Sequence, residues 1–385
     1  MGERGRVESS AAGGYFAGMT ARLATLAVRD FRNIVAADLV LPTDGVVLVG
    51  DNGQGKTNLL EAVAYLGIVR SVRNVRDRDL VRHGATAWHV RASLTGTAIR
   101  DLSIGVDRSS GRKRIGLDGV VTTRQADALG ALPSVMWSPS DVALVAGGPG
   151  ERRYFLDVLL ALSSRVYLEA LRGYRTALAN RNAALRSVQR SGRHAEAAFA
   201  WDEALATHGA ALVTARRAWS ASVAPGFGDL CAALGEQHAV TLAYRSDAAE
   251  QADPATALRD ALHRARSRDV ARGLTSVGPH RDDLVVWLDA RDVRTVGSAG
   301  QQRTAAIALR LLAARTLRAA RGTPPVLLLD DPFAELDTRR TERTLELLEQ
   351  DGFGQTILAV PRAADIPERF TKFARWTVRE GVIAP

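Results

Sequence analysis

At 385 residues, with 46% hydrophobic and 24% charged side chains, the chain has the composition of a folded globular protein large enough for two or three domains. A single cysteine, Cys231, excludes an intrachain disulfide framework, and no apolar run approaches the ~20 residues that cross a bilayer, so the expectation is a soluble cytoplasmic protein without a membrane partner. The formal charge of +9 favours an anionic partner, although only Lys56, Lys113 and Lys372 are lysines and an arginine bias of this kind also follows from GC-rich codon usage.

Residues 1–18, rich in Gly, Ser and Ala, read as an unstructured extension, with Met19 as an alternative start. The first chemical signal is Gly50-Asp51-Asn52-Gly53-Gln54-Gly55-Lys56-Thr57, directly after the apolar run Gly45-Val46-Val47-Leu48-Val49. In such a loop the glycines let successive N–H groups aim at phosphate oxygens, the lysine supplies charge to the β- and γ-phosphates, and the threonine hydroxyl ligates Mg²⁺. The helical pattern from Asn58 adds its N-terminal dipole. A nucleotide is therefore the expected ligand, bound by Gly50, Asp51, Asn52, Gly53, Gln54, Gly55, Lys56 and Thr57. Many motor and switch families share this loop, so it sets the ligand class and not the task.

Strand and turn signals run from about 23 to 137, including 88–94 and 102–106. Residues 70–114 hold eleven Arg or Lys against four Asp, and residues 151–193 hold nine arginines against Glu151, Asp157 and Glu169. Either stretch could be a solvated face; beside a nucleotide site they suggest a surface for backbone phosphates. From Pro149 the period becomes helical, with Phe155, Leu159, Leu162, Val166, Leu171, Tyr174 and Leu178 on one stripe. A continuous helix would reach about 190. A second helical pattern carries Trp201, Leu205 and Leu212, which predicts an antiparallel helical arm over 151–270 inserted between head segments 19–150 and 271–385.

Three later segments narrow the motor type. The run Val326-Leu327-Leu328-Leu329-Asp330-Asp331 reads as a buried strand of Walker B type, in which Asp330 holds Mg²⁺ and Asp331 orients or deprotonates the attacking water. Glu335-Leu336-Asp337 stands where a D-loop would meet a dimer seam. Ser298-Ala299-Gly300-Gln301-Gln302-Arg303 opens a helical pattern and reads as a second phosphate site, with Ser298, Gly300 and Gln301 as its candidate residues. His280, with no second His or Cys at ligand spacing, reads as a structural hydrogen-bonding group, and no zinc is assigned.

In this order, Phe31-Arg32-Asn33, the loop and helix start at 53–62, Arg76-Asp77-Arg78-Asp79-Leu80, Ser138-Pro139-Ser140-Asp141, Arg152-Arg153-Tyr154-Phe155-Leu156-Asp157, Gly278-Pro279-His280-Arg281-Asp282-Asp283, the 298–303 segment and Leu329-Asp330-Asp331 resemble the RecF family, small relatives of the SMC-type ATPases. The resemblance implies an α/β fold, an ABC/SMC-type P-loop ATPase head with an inserted helical arm as second lobe. It also implies ATP and Mg²⁺ as cofactors, an ATP-dependent homodimer on DNA, catalytic roles for Lys56 and Asp331, repair of single-strand gaps and stalled forks with RecO and RecR as partners, and weak DNA-stimulated hydrolysis. Three departures stand out: Ala334 where the family D-loop has Ser, no switch His or hydroxyl after the strand at 355–361, and Ser138-Pro139 where a Q-loop glutamine would sit. Hydrolysis slower than the family norm is the expectation. A related ATPase acting in phage defence or DNA-end processing is the alternative.

Overall fold

The computed structural model describes residues 20–385 except 192, 194, 249–251, 335 and 353, so the expectations for 1–18 and Met19 lie outside the described residues. The chain opens with β1 (Arg22–Phe31), β2 (Ile34–Val40) and β3 (Gly45–Val49), enters α1 (Lys56–Ile68), and returns as β4 (Ala87–Thr95), β5 (Asp101–Asp107), β6 (Lys113–Leu117) and β7 (Val120–Thr122). A short α2 (Gln125–Ala128) and β8 (Ser134–Trp137) lead to the helices α3 (Ala143–Ala146), α4 (Pro149–Ser163), α5 (Arg165–Ser191), α6 (Glu196–Phe199) and α7 (Asp202–Ala233). Then follow β9 (Val240–Arg245), α8 (Pro254–Arg272), β10 (Asp283–Leu288), β11 (Arg291–Asp292), α9 (Val293–Val296) and α10 (Ala299–Arg321). The last elements are β12 (Val326–Asp330), α11 (Thr338–Gln350), β13 (Thr356–Val360), β14 (Ala374–Arg379) and β15 (Val382–Ala384).

Two six-stranded sheets, ordered β2-β1-β4-β5-β6-β7 and β15-β14-β3-β13-β12-β8, enclose α1. The first is antiparallel and buries alternate residues, as β4 and β5 show, because only one face is covered. In the second, β14, β3, β13, β12 and β8 are parallel, and β12 and β13 are buried along their whole length. Their side chains alternate between two cores: Val326 and Leu328 join the core around α1, while Leu327 and Leu329 join the core built by α4, α5, α7 and α10. Helix α1 buries eleven of its thirteen residues, so it is a helix between two sheets and not a surface amphipath.

The single long helix expected from Pro149 to about 190 is two helices. Ser164 adopts extended φ/ψ of −143° and 121°, and its Oγ accepts the Tyr167 N–H at 3.3 Å, capping α5. Val166, placed on the apolar stripe by its spacing, is 73% exposed because the break rotates it out. Helix α5 packs against α7, and α7 against α8 and β9.

Buried ion pairs join these helices to the head. Arg152 donates to both carboxylate oxygens of Asp283 at 2.7 and 2.9 Å, and Arg216 donates to Asp157 at 2.7 Å and to the Pro279 carbonyl at 2.8 Å. Arg181, fully buried, reaches Asp202 at 2.8 Å and Asp269 at 2.7 Å. Thus the 152–157 and 278–283 motifs, far apart in sequence, form one joint. Removing one partner of such a pair costs about 3–5 kcal/mol, because the other charge stays buried.

His280 belongs to that joint and touches no ligand site. Its Nε2 lies 3.1 Å from the Thr275 carbonyl, a bond that needs a protonated Nε2, so Nδ1 accepts the Tyr174 hydroxyl at 2.6 Å. Burial pulls its pKa down to about 4, while burial pushes the Asp282 carboxyl up to about 6. The two act oppositely on stability. His280 favours the fold fully above its unfolded value of 6.5 and loses that contribution as pH falls to about 4, whereas Asp282 favours the fold at low pH and loses its contribution as pH rises through about 6. In urea denaturation between pH 4 and 7, Asp282→Asn should therefore lose stability on acidification more steeply than wild type, by up to about 3 kcal/mol over the window. His280→Gln should lose that dependence, and parallel profiles in all three proteins would contradict the assignment.

Candidate nucleotide-binding site

The phosphate loop leaves β3 at the carboxyl edge of the parallel sheet and enters α1. Gly53 and Gly55 hold φ of 82° and 116°, which favour glycine, and a Cβ on Gly55 would stand 2.8 Å from Asn33 Oδ1. Asn33, from the turn after β1, donates to the Gln54 carbonyl at 3.1 Å and accepts from Asn58 Nδ2 at 2.8 Å. The Gln54 side chain accepts the Glu380 N–H at 2.7 Å and its backbone carbonyl accepts the Gly381 N–H at 2.8 Å, which leaves its own N–H to the phosphate loop. Gln54 therefore anchors the loop to the β14–β15 turn.

Lys56 folds back over the loop, its Nζ donating to the Gly50 carbonyl and, at 3.0 Å, to the Asp51 carbonyl. Burial lowers its pKa, with Asp330, Asp331 and Asp51 opposing that shift. A polyphosphate would offer this ammonium stronger acceptors than two carbonyls. Across 273 residues of sequence, Thr57 Oγ1 donates to Asp330 Oδ1 at 2.9 Å. Burial raises the Asp330 carboxyl, offset by the Thr57 hydroxyl and the Arg73 and Lys56 charges. A hydroxyl beside a carboxylate is a hard-oxygen pair that suits Mg²⁺, whose remaining ligands are ordinarily water and phosphate oxygens. The donor set thus fits the expected ion.

Asp331 diverges from its neighbour. Its φ of 46° is left-handed, a conformation Asp tolerates at a cost, and its N–H bonds the Ala359 carbonyl at 2.9 Å. Asp330 and Thr57 line one cavity of about 730 Å³, while Asp331 lines a separate groove of about 1140 Å³ with Phe333, Ala334 and Leu336. The first cavity also takes in Arg73, Ser138 and Arg310. Arg310 clasps Asp141 through bonds of 2.6 and 2.9 Å, which ties the loop after β8 to α10.

In the sequence Arg73 carries no signal beyond its place among the basic residues of 70–114. Its position follows from the fully buried Glu61, which takes two bonds from Arg32 at 2.9 and 3.2 Å and one from Ser71 at 2.5 Å, and which lies 3.8 Å from Arg73. No spacing rule signals this, since it arises from the packing of α1 against the turn after β1.

The candidate residues of the second phosphate site stand elsewhere. Ser298 caps α10, its Oγ accepting the Gln301 N–H at 3.3 Å, while Gln301 Oε1 accepts the Ser298 N–H at 2.9 Å. Ser298 is exposed, and Ser298, Gly300 and Gln301 are all absent from the lining of the Thr57–Asp330 cavity. A Cβ on Gly300 would meet Arg340 Nη1 at 2.6 Å, and Arg303 donates to the Ala334 carbonyl, so this helix start adjoins the D-loop segment. Asp337 there caps α11 by accepting the Arg340 N–H at 2.8 Å, and Glu335 lies outside the described residues.

The two basic stretches shrink on inspection. Lys113 is held by Asp77 at 2.8 Å, and Arg152 and Arg181 are locked inside the arm joint. Arg76, Arg100, Arg112 and Arg114 in the first stretch, and Arg172 and Arg186 on α5, remain exposed without ion pairs among the described residues. No helix among the described residues is long and apolar enough to cross a membrane.

Lys56→Ala should weaken ATP binding by at least about tenfold, the loss expected for a charge-assisted hydrogen bond of ~1.5–3 kcal/mol. Equilibrium titration with a slowly hydrolysed analogue checks this, and an unchanged Kd would remove Lys56 from the site.

Residues 22–364 match the family model described as the RecF/RecN/SMC N-terminal domain. The DNA replication and repair protein RecF of Frankia alni is 38% identical over 379 residues, covering 94% of this chain and 98% of the relative. The protein of the same name from Acidothermus cellulolyticus is 40% identical over 362 residues, covering 90% and 95%. Among solved structures, the recombination mediator protein RecF bound to ATP in the RecFOR pathway superposes with a TM-score of 0.85 at 26% identity, covering 97% of this chain and 99% of that one. The Smc head domain from Pyrococcus furiosus, at 16% identity and a TM-score of 0.54, shares the fold, with 94% of this chain and 95% of that chain covered. The phosphate loop, the Thr57–Asp330 pair, the capped helix at Ser298 and this similarity along nearly the whole chain establish that it belongs to the RecF family of ABC/SMC-type ATPases.

Proposed function

We propose that the protein is an ATP-dependent DNA clamp that acts in recombinational repair of single-strand gaps and stalled forks, with two copies joined by ATP. The observation that carries this reading is the separation of the two phosphate-binding features. Thr57 and Asp330 line one cavity with Lys56 close beside them, whereas Ser298 is exposed at the start of α10 and outside that lining. An exposed, capped helix N-terminus is a ready anion site, and a second copy can bring it to the phosphates of the first. The similarity to RecF proteins supports DNA, RecO and RecR as partners.

Each residue then has a task. Lys56 exchanges the Gly50 and Asp51 carbonyls for phosphate oxygens, and Thr57 with Asp330 holds Mg²⁺. Asp331 lines the neighbouring groove but lies close enough for its charge to act on Lys56, and from there would take the proton of the attacking water. Mg-ATP held by Lys56, Thr57 and Asp330 of one copy would be closed over by Ser298 of the other, and its hydrolysis would release them. Ala334 offers no hydroxyl across the seam, and weak, DNA-stimulated turnover fits a switch better than a motor. The exposed arginines named above contact backbone phosphates without reading bases.

Ser298→Arg should leave ATP binding by the monomer intact and abolish the dimer in analytical ultracentrifugation with a slowly hydrolysed analogue. An undiminished dimer would defeat the assignment of Ser298 to the partner's site. DNA affinity should fall with salt with a logarithmic slope of about −0.9 per phosphate contacted, and a flat dependence would remove the backbone surface.

A further inference from the structure

Arg281 is the exposed arginine of the 278–283 motif, and the nucleotide site does not use it. It lines a cleft of about 700 Å³ bounded by the end of β9, one face of α8 and the loop at 276–283. Arg245 and Arg264 line the same cleft, all three are exposed, and none of their side chains makes a hydrogen bond or ion pair among the described residues. Carboxylates are within the cleft, yet they are engaged elsewhere or unpaired. Asp283, opposite Arg245 in the β9–β10 register, is clasped by Arg152, and Asp282 accepts the Tyr244 hydroxyl. Asp260 sits one helical turn before Arg264 without pairing to it, and Asp247 stands unpaired on the rim. Three guanidinium groups lining one concavity with their donors unused suit a tetrahedral oxyanion. The cleft walls are fixed: Leu258 and Ala248 pack with Ala206 and Val213 of α7, so the arginines stand on a rigid frame.

We propose that this cleft is a phosphate-binding site on the helical lobe that takes a backbone phosphate of duplex DNA. The proposal rests on the DNA-binding reading above and adds a contact outside both basic stretches. Asp247 and Asp260 on its lining weaken it, which gives a test of opposite sign.

Duplex binding is measured by fluorescence anisotropy with the full chain and a slowly hydrolysed ATP analogue across a salt series, for wild type, Arg281→Ala, Arg264→Ala and Asp247→Asn. The arginine variants should bind at least about fivefold more weakly with the salt slope reduced by about one. Asp247→Asn should bind more tightly. ATP affinity and thermal stability should be unchanged in all three, since these side chains are exposed and unpaired. Wild-type affinity and slope in the arginine variants would overturn the proposal while leaving DNA binding in place; failure of wild type to bind duplex would instead overturn the DNA reading itself. Calorimetry with inorganic pyrophosphate separates the source: pyrophosphate binding lost in Arg281→Ala, with duplex binding unaffected, would assign the cleft to a free phosphate and overturn the DNA assignment.

Discussion

The register of three short parallel strands is the constraint on which the rest depends. Val49 pairs with Val360 and Ala359 with Asp330, so β3 and β12 end side by side across β13. That places Thr57 at the start of α1 within 2.9 Å of Asp330, although 273 residues separate them. Side chains on a strand alternate, so a slip of one residue would exchange Leu329 with Asp330 and turn the carboxylate into an apolar core. The runs Val326-Leu327-Leu328-Leu329 and Ile357-Leu358-Ala359-Val360 are apolar on both covered faces, so the penalty for a slip falls on the carboxylate at the strand end.

The second constraint is electrostatic. The helical lobe is joined to the head by the Arg152–Asp283 pair and by Arg216 donating to the Pro279 carbonyl, while Arg216–Asp157 and Arg181–Asp269 tie its own helices together. Buried pairs of this kind contribute little net stability over an apolar equivalent, but they are intolerant of a missing partner. Their geometry therefore specifies how α4, α5, α7 and α8 meet the 275–283 loop. Arg310–Asp141 extends the same logic to α10, the helix that begins at Ser298. One polar framework thus sets the relative placement of the Thr57–Asp330 cavity and the outward-facing helix start.

Much of this was legible in the amino-acid sequence, for physical reasons. The phosphate loop is local chemistry, and the apolar run before Asp330-Asp331 has no reading other than a buried segment. The antiparallel strands announced themselves by alternation, as at 88–94. What stayed hidden was long-range. Ser164 breaks the arm helix because its hydroxyl caps the following one, and apolar spacing alone does not reveal a capped break that turns Val166 out of the stripe. Arg73 gains its place beside Asp330 through the buried Glu61, and the Gln54 side chain anchors the loop to the Glu380 N–H. Counting basic residues overstated the available positive surface, because Lys113, Arg152 and Arg181 are consumed by internal pairs.

The central claim is that the nucleotide site is completed only by a second copy. Its most direct test mixes two inactive chains, Lys56→Ala and Ser298→Arg, and measures ATP hydrolysis of the mixture. In a mixed dimer one composite site unites the intact Lys56 of one chain with the intact Ser298 of the other, while the second site carries both lesions. Activity absent from either variant alone should return on mixing and rise with the share of mixed dimers. A mixture as inactive as its components, with mixed dimers shown to form, would contradict it.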